Sequence, residues 1–198
     1  MIPLDQRVTE HARLLVEYST KVKEGDKVLI QVTDRGMELA TEVYRLVSAL
    51  GASPLITSTP TEAERGYYTV VEDRYLSLVP SHLLALVKAS DVFITIRGES
   101  NLKTLSGVDP RKISARQLAL QEIQEERLSK RWTLTQYPTE GYAQEAEMSL
   151  REYEDFVYGA ILRDWEEERA RMRRLADFLN RAETVRIVGE GTDLTVSI

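Results

Sequence analysis

Three short polar stretches carry the side chains best suited to hold a ligand: TDRG at 33–36, RGES at 97–100 and TQYPT at 135–139. Between them they present Asp34, Arg35, Arg97, Glu99, Tyr137 and Thr139, a mixture of anion, cation and hydroxyl that can bind a polar group by charge and hydrogen bond. Arg97, Glu99, Tyr137 and Thr139 are the candidates for facing a cleft at the strand ends. Taken one at a time, each also reads as a turn or capping residue.

Chemistry that needs a preformed centre is not visible. The chain has no cysteine, which excludes disulfides, thiolate metal sites and cysteine nucleophiles. Its two histidines, His11 and His82, match neither H-x-x-x-H nor H-E-x-x-H spacing and fall in predicted helices, as surface or satisfied core residues. No G-x-S-x-G elbow occurs, and no pair among the 32 acids stands out from helix-surface spacing. GEGTDL, 189–194, offers Gly189 and Gly191 as the start of a G-x-G-x-x-G loop. Leu194 holds the third position and a strand follows, whereas phosphate binding needs a helix N-terminus. No catalytic residue and no metal ligand is assigned.

The polar loops follow the apolar runs that must position them. KVLIQV, SPLIT, DVFITI at 91–96 and WTLT read as four strands, the first and third as buried central ones. Helical patterns separate them: 5–21, then MELATEVYRLVSALG stopping at Gly51, then 60–89 broken by Pro80, then 114–130. Thr61 with Glu64, and Ser114 with Gln117, have capping-box spacing. A long helix over 149–181 opens with Ser149 against Glu152 and carries an apolar stripe from Tyr153 to Leu179. Strands alternating with helices predict an α/β fold, a mostly parallel sheet with helices on both faces. From 184 onward the pattern changes to alternating strands punctuated by glycine, as in an antiparallel element.

The net charge is −6, with acids and bases interspersed, which argues against nucleic acid as a partner. Glu167 and Glu168 can pair with Arg171 along a solvated helix face. No apolar run is long enough for a bilayer-spanning helix, so no membrane partner is expected. The charged start MIPLDQRVTEH lacks a signal-peptide pattern, and the absence of cysteine suits a reducing, cytoplasmic setting.

Several stretches together resemble one family. LLVEYSTKVKEGDKVLIQV is similar to the opening of the thermophilic-type metalloaminopeptidases, the aminopeptidase T and aminopeptidase S group, peptidase family M29. GASPLI resembles their second strand, and GEGTDLTVSI the Gly-Thr-Asp-Leu strand that leads into their catalytic domain. The most specific likeness is TQYPTEGYAQEAEMSLREYEDFVYGAILRDW, 135–165. It resembles the family's Tyr-Pro-Thr, Ala-Gln, Met-Ser and Tyr-Glu-Asp-Phe series in order.

The resemblance implies an exopeptidase that releases N-terminal amino acids from peptides with two divalent metal ions of the zinc or cobalt type, working as a homodimer. It places the metal ligands in a C-terminal domain after the Gly-Thr-Asp-Leu strand. Residues 1–183 are then the N-terminal α/β domain, and 184–198 the first strands of a truncated, antiparallel-rich catalytic domain. No metal is expected on this chain, and it is expected to be inactive alone. The competing expectation is a flavodoxin-like module that holds a small ligand at its strand ends without catalysis.

Overall fold

A computed structural model of the chain describes residues 5–198. Two apolar runs lay down the core. They form β1 (Lys27–Val32) and β3 (Val92–Arg97), which pair in parallel at the middle of a four-stranded sheet. β2 (Ser53–Ser58) flanks β1 and β4 (Arg131–Gln136) flanks β3, so the order is β2-β1-β3-β4 and every pairing is parallel. Strands covered on both faces need apolar side chains at successive positions. Val28, Leu29, Ile30, Phe93 and Ile94 are accordingly no more than 1% exposed.

Right-handed crossovers decide which helices cover which face. On one face α1 (Gln6–Arg13) and α2 (Met37–Ala49) pack Val8, Ala12, Leu39, Val43 and Val47 against Val28, Ile30, Val32, Ile94 and Ile96. On the other, Val87 of α5 (Ser81–Ala89) and Ile123 of α7 (Gln121–Leu128) meet Leu29 and Phe93. The α/β class read from the sequence is therefore the observed one, with strand order as in flavodoxin-like sheets.

Helix ends differ from the expected ones for identifiable reasons. Region 60–89 contains α3 (Thr61–Val70), α4 (Asp73–Leu76) and α5, with Pro80 before α5. Thr61 and Glu64 make no capping box, because Pro60 is the N-cap and the Thr61 hydroxyl donates to Asp34 at 2.8 Å. The helix expected to open at Ser114 begins earlier, as α6 (Pro110–Ala119). Asp109 caps it, accepting from Arg111 N at 2.9 Å, and Pro110 sits where no N–H is required. The Ser149 capping box forms as read, with Ser149 N donating to Glu152 Oε2 at 2.9 Å and Glu152 N to Ser149 Oγ at 3.3 Å.

The helix that opens there is not continuous to 181. α9 (Leu150–Ile161) ends, and Asp164 restarts the chain as α10 (Trp165–Leu179), accepting from Glu166 N and Glu167 N, both at 3.1 Å. The same break separates two compact units, one ending at Ile161 and one spanning Leu162–Ile198. In the second unit Arg171 pairs with Glu167 and Glu168 as their spacing predicts. The unit ends in an antiparallel hairpin, β5 (Thr184–Gly189) and β6 (Thr192–Ser197), turning through Gly191 at φ +67. Opposite pairs Val185 with Val196 and Ile187 with Leu194 give the hairpin one apolar face, on which Ile187 and Leu194 are about half exposed.

Candidate functional site

β1 and β3 are neighbours whose connections leave in opposite directions, so their carboxyl ends frame the point where open α/β sheets seat ligands. Here the two loops are fastened to each other. Gly98 N donates to Thr33 Oγ1 at 2.8 Å, Arg35 N to Gly98 O at 2.9 Å, and Thr33 N to Ile96 O at 3.2 Å. A Cβ built on Gly98 would lie 2.5 Å from Gly36 N. One built on Gly36 would lie 2.8 Å from both Val32 Cγ2 and Ile96 Cγ2. The two loops therefore approach each other closely at Gly36 and Gly98, with no room for a side chain at either position.

Asp34 binds a third segment to this pair. Held at φ +31, it accepts from Thr61 N at 3.0 Å, Thr61 Oγ1 at 2.8 Å and Ser100 N at 3.4 Å. Burial pushes its carboxyl up, but the donors from Thr61 and Ser100 outweigh that and hold it below the usual range. Its charge is spent on joining the loops after β1, β2 and β3.

The loop after β4 closes on the same cluster. Tyr137 N donates to Arg97 O at 2.6 Å, and the buried Thr139 hydroxyl donates to Glu99 O at 2.6 Å. Thr139 also caps α8 (Glu140–Glu145), a short helix absent from the sequence reading, by accepting from Tyr142 N at 3.4 Å. Gly141 lets this helix approach, since a Cβ there would meet Ser100 O at 2.6 Å. Tyr142 OH donates to Glu99 Oε2 and Tyr137 OH to Glu38 Oε2, the latter at 2.6 Å. Burial, reinforced by these carboxylates, raises both phenols, which keeps them protonated donors.

Glu99, Tyr137 and Thr139 are thus brought together as one hydrogen-bonded cluster at the strand ends. Arg97 contributes its backbone to that cluster while its side chain is exposed. Sequence reasoning missed Tyr142, Glu38, and Tyr153, whose hydroxyl accepts from Gln136 Nε2. Tyr142 stands just before the Ala-Gln pair and Tyr153 opens the Tyr-Glu-Asp-Phe segment, but nothing in their spacing marked the contacts. A cavity of about 400 Å³ lies apart from the cluster, between α3, α5 and α6, lined by Tyr67, Tyr68, Leu83, Ile113 and Arg116 among others.

His11 lies under β4. It is fully buried, its Nε2 is 2.8 Å from Thr135 Oγ1, and its Nδ1 has no partner. The Tyr158 ring stands edge-on to it at 6.0 Å. Burial depresses its pKa to about 4, so the imidazole is neutral near pH 7.

The family model described as thermophilic metalloprotease (M29) matches residues 4–198. The chain belongs to that family. Among solved structures, wild-type AmpT from Thermus thermophilus matches this M29 chain with a TM-score of 0.80 at 17% identity. The match covers 99% of this chain and 54% of that one, so the chain spans about half the length of that structure. At such identity the likeness establishes the shared fold. An alcohol dehydrogenase superfamily protein from Novosphingobium aromaticivorans also matches, at 17% identity over 74% of this chain and 45% of that one, but its TM-score of 0.34 is too low to support a shared fold. No curated protein sequence matches the chain.

Membership of a metalloprotease family implies a divalent metal. Among the described residues, no three His, Asp or Glu side chains are grouped so as to hold one. His11 faces a hydroxyl and an aromatic edge, while Glu99 and Glu38 accept from tyrosines. This donor set does not fit a metal centre. Among the same residues no helix is long and apolar enough to cross a membrane.

Proposed function

We propose that this chain is the α/β domain of a metal-dependent aminopeptidase that releases N-terminal residues from peptides. The observation that carries the reading is the M29 match along residues 4–198. The strand-end cluster supports a supporting rather than a reacting role, because its carboxylates are already engaged. Two divalent ions, of zinc or cobalt type, would polarise the scissile carbonyl and activate water. Their ligands lie outside the described residues of this chain. The locked loops then form a rigid wall to the substrate cavity, with Arg97, Glu99, Tyr137 and Thr139 as its cavity-side candidates. A homodimeric, cytoplasmic enzyme acting on peptides completes the proposal.

The test joins this domain in one polypeptide to an M29 metal-bearing half and compares leucine anilide with its N-acetylated form. Metal-dependent hydrolysis of the free amine alone is the expected result. Equal cleavage of the blocked substrate, or cleavage that survives chelation, overturns the aminopeptidase reading.

A further inference from the structure

We propose that Arg97 and Arg127, together with Trp132 and Leu134, form a binding site for a carboxylate carried beside an apolar side chain, as at the C-terminus of a peptide. β4 is an edge strand, and the face it shares with α7 is only partly covered. Trp132 and Leu134 on that face are 44% and 43% exposed. Arg127, in the last turn of α7, lies over them, with its guanidinium carbon 5.7 Å from the Trp132 ring centroid.

Of the five donors on that guanidinium, Nη1 alone has an acceptor among the described residues, Thr95 Oγ1 at 3.3 Å. Its Nε is sealed from solvent with no partner. Arg97, on the same strand as Thr95 and the same face, makes no side-chain hydrogen bond or ion pair among the described residues and adds a second positive charge. Burial, and then repulsion from Arg97, lowers the pKa of Arg127.

Two other partly covered guanidiniums are neutralised, Arg7 by Asp5, Glu154 and Asp155 and Arg131 by Asp26 at 2.6 Å, while Arg116 spends a donor on the Leu78 carbonyl at 2.7 Å and lies over the Tyr67 ring. The Arg97–Arg127 pair has no such anion. Two planar forks match the two oxygens of a carboxylate. The indole and the leucine beside them offer an apolar surface to the adjoining side chain. The site goes beyond the proposed function, since occupancy needs neither a metal nor hydrolysis and can fail or hold independently of that reading.

The experiment is an NMR titration of the 198-residue chain with N-acetyl-Ala-Leu and with its C-terminal amide, following the Trp132 indole N–H. Saturable shifts with the acid, affinity about tenfold weaker for the amide, and similar weakening by Arg97→Gln are the expected results. Arg127→Gln should abolish saturation. Arg97 is exposed, so Arg97→Gln decides the matter even where Arg127→Gln does not fold. An absent shift, equal affinity for acid and amide, or an Arg97→Gln chain that titrates like wild type overturns the proposal.

Discussion

Gly98 and Gly36 meet backbone to backbone at the carboxyl ends of β3 and β1, so close that a Cβ on Gly98 would stand 2.5 Å from Gly36 N and 3.1 Å from Thr33 O. Both obstacles are main-chain atoms, and they are bonded to each other across the turn after β1, Gly36 N donating to Thr33 O at 3.0 Å. They cannot swing aside as a side chain can.

Gly98→Ala should therefore lower stability by about 2–3 kcal/mol. Gly159→Ala is the control: nothing lies within 4 Å of its added Cβ, and it is exposed within α9. That change should raise stability by about 0.5–1 kcal/mol. Urea unfolding of both variants checks the pair, and a neutral Gly98→Ala would mean that the loops are not locked as described.

His11 predicts a pH window. Its folded pKa of about 4 lies below the ordinary 6.5, so the unfolded chain binds the proton more readily. The contribution of the neutral imidazole is complete above pH 6.5 and is lost as pH falls through about 4. The full loss is of the order of 3 kcal/mol. Carboxylates held low, such as Asp26 and Asp34, add their own losses mainly below their ordinary 3.8. Stability measured against pH should show the upper window in wild type and a flatter curve there for His11→Gln. Identical curves would contradict the assignment.

Asp34→Ala should cost about 2 kcal/mol, because it removes the acceptor for Thr61 N and Ser100 N and leaves alanine in left-handed backbone. Asp34→Asn keeps an acceptor oxygen and tolerates that backbone, so its loss should be smaller. Amide exchange reads the effect locally: Thr61 should exchange faster in Asp34→Ala. Unchanged protection at Thr61 would show that the bracket carries no stability.

The central strands were legible because burial on both faces leaves an unbroken apolar run, as in KVLIQV and VFITIR. Helix joints were less legible. The stripe from Tyr153 to Leu179 kept its period across a break, and only Asp164 followed by three glutamates marked a new N-terminus. Asp109-Pro110 carried a similar signal that the apolar pattern beginning at Ser114 obscured. Glycine roles divided the same way. Gly51 and Gly191 turn the chain at φ +74 and +67, which sequence context announces, whereas Gly36, Gly98 and Gly141 serve contacts with residues distant in the chain. The polar loops were found, but whether Glu99 and Tyr137 face a ligand or Tyr142 and Glu38 depends on those long-range contacts.

The most direct measurement is release of nitroaniline from leucine p-nitroanilide by the purified 198-residue chain with added zinc or cobalt. The account predicts no release above that of the metal alone, because the described residues group no metal ligands. Saturable release by this chain, abolished by a chelator and restored by metal, would contradict it.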